Sequence, residues 1–423
     1  GEDLYQGNVS TPMENLPASG VDNLKVIDNY SEYNVFSGFK SSNQTVVDLS
    51  MNKSMHGRLK GQAEAQGGLL NKVMTKGSAM LLGKRMMGNI IAGGNNTGDK
   101  LIQPADIVNM NGGWSEMLSG DDPMASMRKT FTDYAMMLDY RENVYRRNNG
   151  LVSLNTVSTP GKNMKILWNG MVGADRYRMK STDHYAYHGG LAYTDSTREL
   201  QDKRHFLSNI KFKLANQKNM ELTLTNRSYF GTTEGNTDRQ LQSVGLNEQT
   251  KGRLAMINNA LVWLYRHGKN VFSYKADLNF LFSNNRYDFS SQPTPLFKSP
   301  ALHSEMNIRR LEFTGSAQYV RRFADDYFLR IALRHGLETF STTVKGDSAG
   351  MDNPALKMPY RFYDNGAELS LNKDQGKFRF GIGGIFHHFS LHSSRPLSFG
   401  VSPKMAVSPL FNISYRVSMM HYV

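Results

Sequence analysis

Apolar and polar residues alternate with a period of two through much of the second half of the chain, the pattern of half-buried β-strands. In FSYKADLNFLF, Phe272, Tyr274, Ala276, Leu278, Phe280 and Phe282 fall on one face, with Ser273, Lys275, Asp277 and Asn279 on the other. In NMELTLTN, Met220, Leu222 and Leu224 oppose Glu221, Thr223 and Thr225. A hairpin is predicted where Leu311, Phe313, Ala317 and Tyr319 share a face, Ala324, Asp325 and Asp326 connect, and Tyr327, Leu329, Ile331 and Leu333 turn away from Arg330 and Arg334. GKFRFGIGGIF repeats the theme with Phe378, Phe380, Ile382 and Phe386; its glycines at 381, 383 and 384 predict bending.

Turn-rich stretches separate these runs: GTTEGNTDRQ, FSSQPTPLFKSP, KGDSAGMDNPALKMP and HSSRPLSFGVSPKM. Short links such as NQKN and RHGKN alternate with them. Amphipathic strands with short turns at one end and long polar loops at the other suit a membrane barrel, periplasmic turns below and extracellular loops above. Each strand then shows an apolar face to lipid and a charged face to the lumen. Closure is required, because an unpaired edge amide in hydrocarbon costs several kcal/mol. One region departs from the pattern. Asp122-Pro123 suits a helix start, and Met124, Met127, Phe131, Tyr134 and Met137 recur every three or four residues, so a loop with a short helix is expected near 118–146.

Composition narrows the class. The chain of 423 residues carries 38 Gly and 11% aromatics, a mixture suited to β-structure and too aromatic for disorder. The formal charge of +13 would suggest nucleic acid in a soluble protein. Here Lys and Arg are spread thinly, with no basic stripe, and no nucleic-acid partner is expected. With no cysteine, disulfide and zinc-thiolate frameworks are excluded. No run approaches the length of a membrane helix, and SAMLLGKRMMGNIIAG is broken by Lys84 and Arg85. A membrane strand needs only roughly 9–11 residues of alternating character.

Candidate chemistry is sparse. His387, His388 and His392 cluster in sequence, but His388 and His392 stand about 13 Å apart on a strand, too far for one metal. His184 and His188 have the same difficulty. Asp121-Asp122 and Asp325-Asp326 are explained by turns, and neither has a graded calcium pattern. GGNNTGDK lacks the order of a phosphate loop, and no nucleophile motif is present. No catalytic residue, cofactor or metal is expected, the chain is not expected to be an enzyme, and the substrate-binding residues stay unknown. Arg330, Arg334, Lys275 and Arg379 read as ordinary charges of a wet face, with an electropositive path for anionic or sugar-like cargo as the other reading. Tyr265, Tyr274 and Tyr327 fit interfacial anchoring. The many methionines beside aromatics read as flexible packing.

Residues 15–53, NLPASGVDNLKVIDNYSEYNVFSGFKSSNQTVVDLSMNK, resemble the end of the plug domain of TonB-dependent outer-membrane receptors of the Bacteroidetes type. Leu16-Pro17 matches the opening of a short helix, Leu24–Ile27 a strand, Asp28-Asn29-Tyr30 a turn, and Thr45–Leu49 the strand leaving the plug. GEDLYQGN, residues 1–8, resembles a loop between earlier plug strands, and GRLKGQAEAQGG, residues 57–68, the first barrel strand. NIIAGGNNTG and NNGLVSLNT are phrases of the same kind. The resemblance implies an all-β fold, a transmembrane antiparallel β-barrel that is incomplete here. Residues 1–53 would be the C-terminal part of the plug, and 54–423 barrel strands and loops. It implies a transporter in the bacterial outer membrane, with lipid around it and a TonB-type inner-membrane energiser acting through a region missing here. A surface lipoprotein or other envelope protein is a further candidate partner. Family barrels have about 22 strands, and this chain is expected to supply roughly 12–16. With no TonB box before Gly1, an end at Val423 without a terminal aromatic, and an abrupt junction at LLNKVMTKGSAMLL, it reads as part of a longer receptor. Two other readings are a barrel with a structural or assembly role, and a soluble β-rich carbohydrate-binding module.

Overall fold

The computed structural model describes residues 21–27, 46–51, 57, 59–98, 144–186, 192–216, 219–241, 244–291, 301–323, 327–348, 351–373, 378–393 and 404–415. Both Asp pairs and residues 118–143 of the predicted helical region lie outside them, and its last residues, 144–146, are strand rather than helix, being paired with the next strand. Within them the chain is all-β. A small antiparallel pair joins β1 (Val21–Ile27) to β2 (Val46–Met51), so Leu24 faces Leu49 and Val26 faces Val47. Everything else forms one antiparallel sheet of 14 strands in chain order. It begins with β3 (Leu59–Gly68), β4 (Lys72–Leu82), β5 (Met86–Asn95), β6 (Val144–Gly161) and β7 (Met164–Ala186). It continues through β8 (Ala192–Asn216), β9 (Met220–Leu241), β10 (Val244–His267), β11 (Asn270–Ser291) and β12 (Ala301–Arg322). It ends with β13 (Tyr327–Ser348), β14 (Met351–Lys373), β15 (Phe378–Ser393) and β16 (Lys404–Tyr415). Among the described residues β3 and β16 do not pair, so the sheet is open.

The alternation sorts as expected. Phe272, Tyr274, Phe280 and Phe282 are exposed on one face of β11, while Val271, Ser273 and Ser283 are buried on the other. Pairing carries the exposed face across the sheet: Trp263 lies opposite Tyr274, Leu261 opposite Leu224, Ile331 opposite Leu369, and Ile382 opposite Phe411. The opposite face buries polar groups, among them Asn89, Asn155, Asn209, Glu221, Thr223, Glu368 and Ser370. In water the reverse would be expected, large apolar side chains inside and amides outside. We call the two sides the belt face and the polar face.

The belt covers only part of each strand. The strands β7 to β14 run for 22 to 25 residues. On β11 the belt spans Phe272 to Phe282, after which Asn284, Arg286, Asp288 and Ser290 occupy the same face. Its limits also slide along the register. Val172 on β7 leads through paired positions Phe206, Phe230, Ala255, Phe282, Arg309 and Ser341 to Pro359 on β14. The last large aliphatic belt residue of β14 is Leu369, ten residues nearer the turn, and at the other limit the belt moves from Met164 on β7 to Leu371 on β14, a slip of four. At about 3.4 Å per residue and 4.8 Å per strand, these slips incline the belt by on the order of 20–45° to the register. Barrel strands tilt by about 35–45°, and such a tilt is what brings a slanted belt level.

The belt's end explains a correction. GTTEGNTDRQ and the stretch from Lys345 to Pro359 were expected as turns, yet Gly231–Gln240 lies inside β9, and the second stretch fills the ends of β13 and β14. The strands continue where both faces are polar, so the alternation fades while the backbone ladder does not. For the same reason the connections away from the short turns are not all long: only residues 242–243 separate β9 from β10, and 349–350 separate β13 from β14. The junction at LLNKVM is likewise a tight hairpin, with Leu70 and Asn71 at positive φ.

The β15 glycines introduce no bulge, since pairing with β14 keeps one register from Phe380 to Ser393. Gly383 instead permits close approach: a Cβ there would sit 2.4 Å from the Leu369 carbonyl oxygen and 2.6 Å from the Ser370 Cβ. Gly384 has nothing within 4 Å of such a Cβ. Gly383→Ala is therefore expected to lower stability by about 1–3 kcal/mol, and Gly384→Ala to leave it nearly unchanged, as read from denaturant unfolding of the two variants.

Candidate functional site

The polar face is the side with chemistry to offer. A row of paired positions crosses nine strands, β5 to β13: Asn89, Asn155, Asn169, Asn209, Arg227, Asn258, Asn279, Glu312 and Glu338. Six of the nine are asparagines. Asn169 Nδ2 donates to Asn155 Oδ1 at 2.6 Å, and Asn155 Nδ2 to Asn89 Oδ1 at 2.8 Å. On the other side of Arg227 the order reverses. Asn258 Nδ2 donates to Asn279 Oδ1, and Asn279 Nδ2 donates to Glu312 Oε2 at 3.5 Å. Both amide chains begin at an unpartnered oxygen, since Asn169 Oδ1 and Asn258 Oδ1 are buried and accept no hydrogen bond. The Tyr360 hydroxyl closes the row by donating to Glu338 Oε1 at 3.1 Å.

Several charges on this face are paired. Arg330 and Arg334, expected on a wet charged face, both turn to Glu368, at 3.5 and 3.4 Å. The Glu368 carboxylate is nearly fully buried between them. Buried carboxylates need such partners, so these arginines do not form a bare positive track. Lys275 and Arg379 lie on the same face, on β11 and β15. Farther along the strands Arg147 bonds Asp175 and lies 5.5 Å over the buried Tyr177 ring, with Lys203 at 5.8 Å. Near the far end Arg239 bonds Asp195, which holds the guanidinium in its charged form. A polar hollow of about 510 Å³ opens there, lined by Arg198, Asp238, Arg239, Asn247 and Ser290.

The histidines do not converge. His387 points to the polar face and stacks on Phe389, while His388 and His392 lie on the belt face, His392 near Ser390 Oγ at 3.3 Å. No set of three metal-ligating side chains gathers among the described residues. His184 bonds the Thr194 hydroxyl at 2.9 Å on a strand; His188 is outside the described residues. Tyr265 and Tyr274 are exposed on the belt face beside the short turns, as expected for anchors. Trp263, Tyr265, Phe272 and Tyr319 continue them as a chain of rings with centroids 5.0 to 6.5 Å apart. Tyr327 meets Phe380 edge-on at 6.2 Å under the Lys373 ammonium.

The asparagine row was missed at the sequence level, although it leaves a trace. Asn155 and Asn169 stand equally far from the turn between β6 and β7, as Asn258 and Asn279 do from that between β10 and β11. Only the register shows that these mirrored pairs join.

No protein-family model and no curated protein sequence matches the chain. Solved structures do. The ferric yersiniabactin uptake receptor FyuA from Yersinia pestis aligns over 88% of this chain and 60% of its own, at 9% identity and TM-score 0.40. The unliganded ferric citrate transporter FecA aligns over 88% and 57%, at 9% identity and TM-score 0.36. The ferric preacinetobactin receptor BauA from Acinetobacter baumannii aligns over 87% and 60%, at 11% identity and TM-score 0.36. The chain thus spans about three-fifths of the length of these receptors.

Burial, reinforced by the charge and hydrogen bond of Glu338, pushes the Tyr360 phenol up to about 12. The folded state favours the neutral phenol, so this contribution to stability is complete below about pH 10, the ordinary tyrosine value, and is lost as pH rises through about 12. Tyrosinate absorbance recorded for the wild type minus Tyr360→Phe should show its step near the higher value; a step at the ordinary one would break the Tyr360–Glu338 assignment.

Proposed function

We propose that residues 59–415 form part of the wall of a transmembrane β-barrel in a bacterial outer membrane. The observation that carries this is the slanted belt. On β11 it spans ten residue steps, about 34 Å along the strand, or about 29 Å of thickness at a 30° inclination. The apolar band of outer-membrane barrels is about 25 Å tall, with aromatic girdles at its borders. The ring chain from Trp263 to Tyr319 supplies such a girdle on the short-turn side. A soluble carbohydrate-binding module would have no use for a face that exposes Leu333, Leu369, Val407 and Phe411 together.

We infer further that the parent protein is a TonB-dependent receptor of the Bacteroidetes type, which moves cargo through the barrel when an inner-membrane partner pulls on its plug. The likeness of residues 15–53 to a plug's end supports this, and the β1–β2 pair falls within that stretch. Residues 1–53 are then the last part of the plug and 54–423 belong to the barrel. The paired amides and charges of the polar face line the lumen. No bond is made or broken; the work is binding and release.

Two experiments separate these layers. Leu224→Arg, in the belt, should cost about 2–4 kcal/mol in vesicle-embedded protein, against about 0–1 for Thr232→Arg on the same face of β9 beyond it. Equal costs in an unfolding titration would remove the membrane reading. Deleting residues 1–39 from the full-length receptor should abolish energised cargo uptake while the barrel still assembles; unchanged energised uptake would sink the plug assignment.

A further inference from the structure

Beyond the belt, on the side away from the short turns, the first charged belt-face residue of every even strand from β8 to β14 is an arginine: Arg204, Arg253, Arg309 and Arg361. All four are exposed. Their register positions descend with the belt. Arg204 and Arg253 share a row through Thr232; Arg309 lies one belt-face position nearer the turns, and Arg361 one nearer again. That is a slip of four residues over six strands, an inclination of about 25°, within the range of the belt itself. In a membrane the four guanidinium groups would therefore share one depth, at the edge of the hydrocarbon, about 11 Å from one to the next.

Acids stand outside this line. Asp202 lies two residues farther from the belt than Arg204, which it meets at 3.3 Å, while Glu234 pairs loosely with Lys251 at 3.8 Å and Asp288 is bonded by Arg286. The Arg286 and His303 hydrogen bonds hold the Asp288 carboxyl below its usual range, so it stays ionised and engaged. Arg309 lies 5.9 Å over the Phe282 ring, the last belt residue of its neighbour, which aims it along the belt's edge. Among the described residues no carboxylate bridges Arg253, Arg309 or Arg361.

We propose that this arginine rim binds the phosphate groups of anionic membrane lipids in the leaflet on the long-loop side. Arginine offers a planar fork that takes phosphate bidentately, and the belt below it holds the acyl chains. Recognition thus needs both parts of one molecule, which selects a lipid over free phosphate. The inference rests on the membrane reading above.

The test uses the full-length receptor folded into mixed vesicles of phosphatidylglycerol and phosphatidylcholine, with bound lipids counted by native mass spectrometry. Wild type should retain phosphatidylglycerol in preference, and each Arg→Gln change should weaken that retention by about fivefold. Arg204→Gln, Arg253→Gln, Arg309→Gln and Arg361→Gln combined should abolish the preference, and the corresponding four Arg→Lys changes should keep part of it. Heat-modifiable migration confirms that each variant is folded, and the Arg253→Gln/Arg309→Gln pair serves if the fourfold variant is not. Equal phosphatidylglycerol retention in folded wild type and Gln variants overturns the rim. Displacement of the lipid by inorganic phosphate alone overturns its assignment to lipid. Failure of the wild type to enter vesicles at all would instead overturn the membrane reading.

Discussion

On the membrane reading, backbone hydrogen bonding in a medium without water is the constraint on which this architecture depends. Inside hydrocarbon no amide can look to solvent, so every strand must satisfy its neighbours along its whole length. Long unbroken antiparallel ladders follow: β10 is paired with β11 from Leu246 to His267 and with β9 from Val244 to Tyr265. Once the ladder is fixed, only side chains remain to be chosen. One face takes what lipid tolerates and the other what a wet lumen tolerates. The two outermost strands, β3 and β16, are each paired on one side only among the described residues, and in hydrocarbon such an edge needs another strand.

The polar face shows how amides and charges are kept without weakening the wall. Asparagine carries both a donor and an acceptor on a short side chain, so neighbours on adjacent strands can bond in sequence. Asn155 and Asn279 each accept from one neighbour and donate to the other, so neither can reverse without breaking both bonds. Glu368 does the same for charge, since two arginines share one buried carboxylate. Neither arrangement looks like a reactive centre. Both make a face that is polar and partly satisfied within itself, while Asn169 Oδ1, Asn258 Oδ1 and Arg379 Nε stay buried without a hydrogen-bond partner.

The fold was legible wherever one face met an apolar medium. Phe272 to Phe282, Leu281 aside, and Met220 to Leu224 alternate and lie where the alternation put them. Gly231–Gln240 and Lys345–Pro359 were misread because both faces are polar there, and turn-like composition no longer means a turn. Gly383 was misread as a bend because sequence cannot show the Leu369 carbonyl that approaches it. The arginine rim and the asparagine row escaped for a related reason. Each is a line across strands, assembled from residues tens of positions apart, and it exists only once the register is known. His387, His388 and His392 make the converse case, neighbours in sequence that the pleat sends to opposite faces.

The length of the strands past the belt has a steric meaning. From Arg204 to Ala192, β8 continues for twelve residues, about 40 Å, and so stands about 35 Å above the hydrocarbon at a 30° inclination. Such a palisade sets a stand-off distance. A large body approaching from outside, such as another cell's surface or a folded protein, meets the rim of the wall before it can touch the headgroups beside it. A small solute can travel down between the strands. On the membrane reading, such a wall would sort by size at its rim before any binding group is reached.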